Sequence, residues 1–178
     1  DPIIQQNSQQ INKVYTYLRQ YSVSDNARES YLNLVSAHKW KAINDIFESL
    51  EKHSISREVV QENLENLLEN AVKISTEIED SLTRLEQYSP SEETMKTSLN
   101  LIFTKKGNQV QKTLNSIDTA NTNQQTKQGL LPYLLARKSK QLDERLIMLA
   151  NQGIDLDKIT NSMPRIAKID IDELQKRI

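Results

Sequence analysis

Leu18-Arg-Gln-Tyr-Ser-Val-Ser24 is followed along the chain by Leu50-Glu-Lys-His-Ser-Ile-Ser56, Leu85-Glu-Gln-Tyr-Ser-Pro-Ser91 and Leu149-Ala-Asn-Gln-Gly-Ile-Asp155. All four share one pattern: Leu, three residues, Ser or Gly, usually an aliphatic residue, then Ser or Asp. A leucine ending one helix, a tight turn, and an oxygen-bearing side chain able to cap the next helix is the chemistry of a helix-turn-helix junction. The first two leading leucines set a period of about 32 residues; the second interval exceeds it by three, and the third is twice the period. A second set has the same period, because Pro132, Leu134, Leu142, Arg145 and Leu146 recur one period later as Pro164, Ile166, Leu174, Arg177 and Ile178. One helix pair cannot bury its own apolar face. The period therefore predicts an all-α helical-repeat array, solenoid-like, in which units of about 32 residues stack on their neighbours.

Outward from these junctions the helices follow from apolar spacing. Ile4, Ile11, Val14, Leu18 and Tyr21 form one stripe and predict a first helix from Pro2 to about Tyr21. Ser24 caps a second stripe of Ala27, Tyr31, Leu34 and Val35, with a break expected near Lys39 before Trp40, Ile43, Ile46, Phe47 and Leu50. Ser54-Ile-Ser56 is expected to cap one long helix reaching Leu85. Ser89-Pro90-Ser91-Glu92 reads as a capping box with proline at the first helical position, opening a helix that should end at Gly107. Val110, Leu114 and Ile117 mark a short helix. Pro132 is expected to open a helix running through Leu142 and Leu149 to a stop at Gly153, with short capped helices after Asp155 and Asp170.

The composition agrees with a thin helical array. Of 178 residues, 37% are apolar, 5% aromatic and 26% charged, a balance short of a thick core yet without the charge excess of a disordered chain. Three glycines and four prolines leave few breaks. The absence of cysteine excludes disulfides, thiolate metal sites and cysteine nucleophiles. No apolar run approaches the roughly 20 residues of a bilayer span. The chain opens at Asp1-Pro2 rather than Met, as expected of a segment processed or trimmed upstream, a signal or transit peptide included.

Three regions are expected: 1–117, acidic with degenerate repeats; 118–128, a flexible loop rich in Asn, Thr and Gln; and 129–178, sharper repeats of which the last is incomplete. Charge divides similarly. Residues 1–89 carry 9 basic and 14 acidic side chains, net −5, and 90–178 carry 14 and 10, net +4.

The stretch Gly153-Ile-Asp-Leu-Asp-Lys-Ile, then Pro164-Arg-Ile-Ala, then Leu174-Gln-Lys-Arg-Ile178 resembles the repeat of the mitochondrial transcription termination factor family. The resemblance covers 129–178, with a weaker echo upstream. It implies a left-handed helical solenoid, a mitochondrial address, and binding of double-stranded DNA or structured RNA along a basic concave groove, in transcription or ribosome assembly. Ser22, Ser54 and Ser89 depart from it, standing where the pattern has glycine, and the prolines at 132 and 164 have no earlier counterparts.

The basic side chains suited to such a groove are Arg137, Lys138, Lys140, Arg145, Arg165, Lys168, Lys176 and Arg177, which would contact phosphates without reading bases. Equally, they suit the solvated face of an amphipathic helix. Glu58, Glu62, Glu65 and Glu69 form an acidic stripe that diverges along its helix and so cannot enclose an ion; it reads as a solvated face. His38 and His53 lack metal-ligand spacing and a nearby nucleophile, Trp40 and Tyr31 read as core, and the three glycines build no phosphate loop. The sequence thus predicts no catalytic residue, no metal and no cofactor. Two functions fit: a nucleic-acid-binding array of an organelle, or a helical scaffold that binds another protein along a groove.

Overall fold

The computed structural model describes residues 7–136 and 140–153, with side chains throughout except at 140–143. Among them every regular element is helical. The chain forms two compact units, Asp1–Leu114 and Asn115–Ile178.

In the first unit, α1 (Ser8–Leu18), α2 (Asp25–Ser36), α3 (Trp40–Lys52) and α4 (Arg57–Glu69) are followed by the single turn α5 (Ala71–Ile74), then α6 (Ile78–Glu86) and α7 (Glu92–Leu101). A kink over Ile102–Lys106, where Thr104 (φ −93°, ψ 27°) and Lys105 (φ 64°, ψ 13°) leave helical geometry, joins α7 to α8 (Gly107–Asp118), whose last turn belongs to the second unit.

The serine caps of the junction pattern form, but the capping box headed by Ser89 does not: the cap is Ser91, α7 starts at Glu92, and Pro90 precedes the helix instead of opening it. Ser24, Ser56 and Ser91 have extended backbones, and each Oγ accepts from the amide three residues on, Ala27 at 3.1 Å, Val59 at 3.4 Å and Thr94 at 3.2 Å. The turns before two of these caps are left-handed at Ser54 (φ 52°) and Ser89 (φ 43°), as is Gly153 (φ 73°). At Ser54 the Ile55 amide reaches back to the Leu50 carbonyl at 2.9 Å, the long bond of a Schellman stop. The expected break near Lys39 is of the same kind: His38 is left-handed (φ 57°) and the Lys39 amide bonds the Leu34 carbonyl at 2.7 Å. Ser22 does not adopt this conformation. Its backbone is held by the Gln61 carboxamide, which accepts from the Ser22 N–H at 2.7 Å and donates to the Ser22 carbonyl at 2.9 Å.

The first three helices each pack on the second one along: α1 lies on α3, α2 on α4, and α3 on α5 as well as α6, while α4 and α5 meet the kink over 102–106. Polar bonds follow the same spacing: Asn44 Nδ2 donates to the Gln10 carbonyl (3.2 Å), Tyr17 to Glu51 (3.1 Å), Asn70 Nδ2 to the Phe103 carbonyl (3.0 Å), and Gln111 Nε2 to Ser81 Oγ (2.7 Å). Between the layers lie Ile43, Ile46, Phe47, Leu67, Leu68, Ile78, Leu82, Leu99 and Phe103, all buried, and Tyr17 stacks on Phe47 with ring centroids 5.0 Å apart. Each such side chain contributes roughly 1.5–3 kcal/mol on burial. Trp40 is buried beside His38, and Tyr31 is half-buried.

Four further expectations are corrected. The long helix from Ser56 to Leu85 is broken at Asn70 and again over 75–77. The Asn70 carboxamide donates both to the Asn66 carbonyl and to the Phe103 carbonyl, competing with the helix's own ladder. Gly107 ends no helix; it begins α8, and the left-handed residue is Lys105 (φ 64°). Gly107 lies against the Glu77 carboxyl, the flexible end of a side chain that a Cβ there would displace.

The other two concern the second unit. Of the expected loop over 118–128, only 119–123 is non-helical, because Asn123 Oδ1 accepts from the Thr126 amide (2.8 Å) and caps α9 (Gln124–Ala136). Pro132 consequently lies inside α9, where burial of Leu130, Leu131, Leu134 and Leu135 holds the helix across it. Of the span expected to be helical from Pro132 to Gly153, the described residues are helical to Ala136 and again over α10 (Lys140–Asn151), and 137–139 lie outside them. α9 packs on α10, burying Leu146 and Ala150. The expected helix ends before Ser8 and after Gly153 lie outside the described residues.

Candidate interaction surfaces

Arg137, Lys138, Arg165, Lys168, Lys176 and Arg177 lie outside the described residues. Lys140 is the first residue of α10, and its side chain is likewise outside them. Arg145, one turn further, is half-exposed. Of the eight basic positions, Arg145 alone therefore has a described side chain.

The acidic stripe of α4 is exposed, and three of its four carboxylates stitch helices together. Glu65 accepts from Asn26 Nδ2 (2.9 Å) and Ser24 Oγ (3.2 Å) at the start of α2. Glu62 pairs with Lys96 of α7 (2.6 Å), and Glu69 with Lys105 (4.0 Å). Among the described residues no group of three or more His, Asp or Glu is placed to hold a metal ion, and no helix is long and apolar enough to cross a membrane.

Between α4 and α7 runs an open groove of about 410 Å³. Glu62, Asn63 and Asn66 form one wall and Glu93, Lys96, Thr97 and Asn100 the other, so its lining is wholly polar. The Glu62–Lys96 pair bridges it. Asn63 is committed through Nδ2 to the Val59 carbonyl (2.9 Å). The side chains of Asn66, Thr97 and Asn100 have no hydrogen-bond partner among the described residues, and Glu93 has no cation paired with it there. A second hollow of about 390 Å³ lies by Arg19, Tyr21 and Arg57, where the Arg57 guanidinium sits 5.5 Å over the Tyr21 ring.

His53, which caps the C-terminus of α3, has a side chain only 4% exposed and faces two carboxylates of α6. Nδ1 is 2.8 Å from Glu86 Oε1, and Nε2 is 3.4 Å from Glu79 Oε2, enclosed and without a hydrogen bond. A hydrogen bond from Lys52 holds the Glu79 carboxyl below the usual carboxylate range, with Ser49 and the nearby positive charge assisting. Spacing within one helix could not have found this cluster. Its members belong to helices that meet only through tertiary packing, and the signal was the repeat interval itself, since Glu86 follows His53 by close to one period. The α4–α7 groove was missed for the same reason.

Comparison with family models, with curated proteins and with solved structures finds no match to this chain.

Proposed function

We propose that the chain is a non-enzymatic helical-repeat scaffold, a solenoid-like stack whose helix faces bind another protein. One observation supports the reading above others: α1 packs on α3, α2 on α4 and α3 on α5, at intervals close to the period read in the sequence, and an open polar groove lies between α4 and α7. Stacks of this kind expose long faces of adjacent helices, which suit a protein ligand. Glu93, the charge in that groove left uncompensated by the Glu62–Lys96 pair, disfavours a polyanion. The test is affinity capture from nuclease-treated extract, followed by reconstitution with the purified partner. A stoichiometric complex supports the scaffold; retention of nucleic acid alone, lost on nuclease treatment, overturns it.

The net +4 charge over 90–178 favours a second reading, contact with double-stranded DNA or structured RNA through the basic C-terminal residues. The resemblance to mitochondrial transcription termination factors supports it. Reversing Arg137, Lys138 and Lys140 should then abolish a salt-sensitive binding, and absence of binding at low salt would remove this reading.

A further inference from the structure

Gln61 shows how this fold grips a backbone. Its carboxamide takes both the N–H and the carbonyl of Ser22, a non-helical residue, in one bidentate hold. A carboxamide has a donor and an acceptor side by side, which match the paired groups of a single residue in an extended chain. The next groove along presents the same chemistry unfilled: Asn66 on one wall and Asn100 on the other, with Thr97 beside them, none with a side-chain partner among the described residues.

The lining also selects charge. Lys96 is paired with Glu62, so Glu93 supplies the uncompensated charge of the groove, which is negative. With no aromatic or aliphatic side chain in the lining, the groove offers no stacking platform for bases and no pocket for an apolar anchor. We propose that the α4–α7 groove binds an extended, lysine- or arginine-bearing peptide segment of a partner protein, its backbone held by Asn66 and Asn100 and its cation by Glu93. This rests on the scaffold reading and names the site and the chemistry of its ligand.

The probe is a short acetylated peptide alternating threonine and lysine, titrated into the ¹⁵N-labelled full chain. Its controls are the same peptide with N-methylated backbone amides and one with glutamate in place of lysine. The side-chain amide resonances of Asn66 and Asn100 are expected to shift with the first peptide and not with either control. Asn66→Ala with Asn100→Ala removes no bond that the fold uses, so circular dichroism should be unchanged while affinity falls roughly tenfold. Glu93→Lys should abolish binding. Resonances unmoved at millimolar peptide, or equal binding of the N-methylated peptide, would overturn the proposal. The two readings fail separately: a captured partner that binds the Asn66→Ala/Asn100→Ala chain undiminished sinks the groove and leaves the scaffold standing. Conversely, a peptide bound at these amides with no protein partner recoverable sinks the scaffold and leaves the groove.

Discussion

The stretch from α1 to α4 and the stretch from α5 to α8 solve the same packing problem with different lengths of chain. In the first, Leu18 and Leu50 are one period apart, and α3 is one uninterrupted helix. In the second, the interval from Leu50 to Leu85 is three residues longer, and the corresponding segment is broken into α5 and α6 over 75–77. The next junction restores the geometry. One interval of each length separates His38 from Lys105, and both are left-handed. Gly107 then begins α8 as Trp40 begins α3. Three extra residues are thus absorbed between helices, where they cost a broken helix but leave α3 packed on both pieces, α5 and α6. The lesson is that register in this molecule is set at the buried stripes, and the connections yield to it.

The buried stripes carry the largest expected effects. Phe47→Ala, in the uninterrupted stretch, should cost about 3–5 kcal/mol, since it removes a buried ring and its stacking on Tyr17. Leu82→Ala, its counterpart one long interval on, should cost about 2–5 kcal/mol. Urea denaturation measures both, and a loss below about 1 kcal/mol at Leu82 would mean that the interrupted stretch does not share the core.

Asn70 is the next test, because it is peculiar to the interrupted stretch. Asn70→Ala strands the Phe103 carbonyl and should destabilise by about 1–3 kcal/mol. A stabilised variant would show that the helix break serves no bond.

Ser54→Gly should stabilise by up to about 1 kcal/mol, relieving a side chain in the left-handed region. Ser22→Gly should give no such gain, because Gln61 holds that turn in another conformation. Equal gains in melting temperature at both would mean that the two turns are alike after all.

The smallest effect is alkaline. Burial raises the Tyr17, Tyr21 and Tyr31 hydroxyls above the usual phenol range, with a hydrogen bond to Glu51 adding to the effect at Tyr17. The unfolded chain therefore loses these protons first, so the stabilisation is complete below about pH 10 and is lost as pH rises beyond it. Thermal melts above that pH should fall less steeply for Tyr17→Phe than for the parent chain. Identical slopes would place the alkaline sensitivity elsewhere.

Much of the local structure was legible in the sequence. Ser24, Ser56 and Ser91 cap because a side-chain oxygen meets an amide three residues away, and the Lys39 break follows from a stripe that starts afresh at Trp40. Misreadings arose where a residue's role depends on a distant neighbour. Asn70 reads as one more position in a long helix until Phe103 is placed beside it, and Gly107 reads as a stop although the left-handed residue of that junction is Lys105. Pro132 looked like a start, although four buried leucines carry the helix across it. For the candidate site the shortfall is larger. A basic cluster can be counted along the chain, whereas Asn66 and Asn100 are unremarkable residues until two helices bring them to opposite walls of one groove.

By itself, then, the chain determined its helical class, the serine caps and most of the turns, since these depend on contacts within a few residues or on a periodic apolar pattern. Tertiary structure alone decided which polar groups face one another: the Gln61 grip on Ser22, the carboxylates around His53, the stitched acidic stripe and the open amides of the groove. The physical reason is range. A cap or an apolar stripe is satisfied locally, but a hydrogen bond between side chains a whole repeat apart exists only when packing has already brought their helices together.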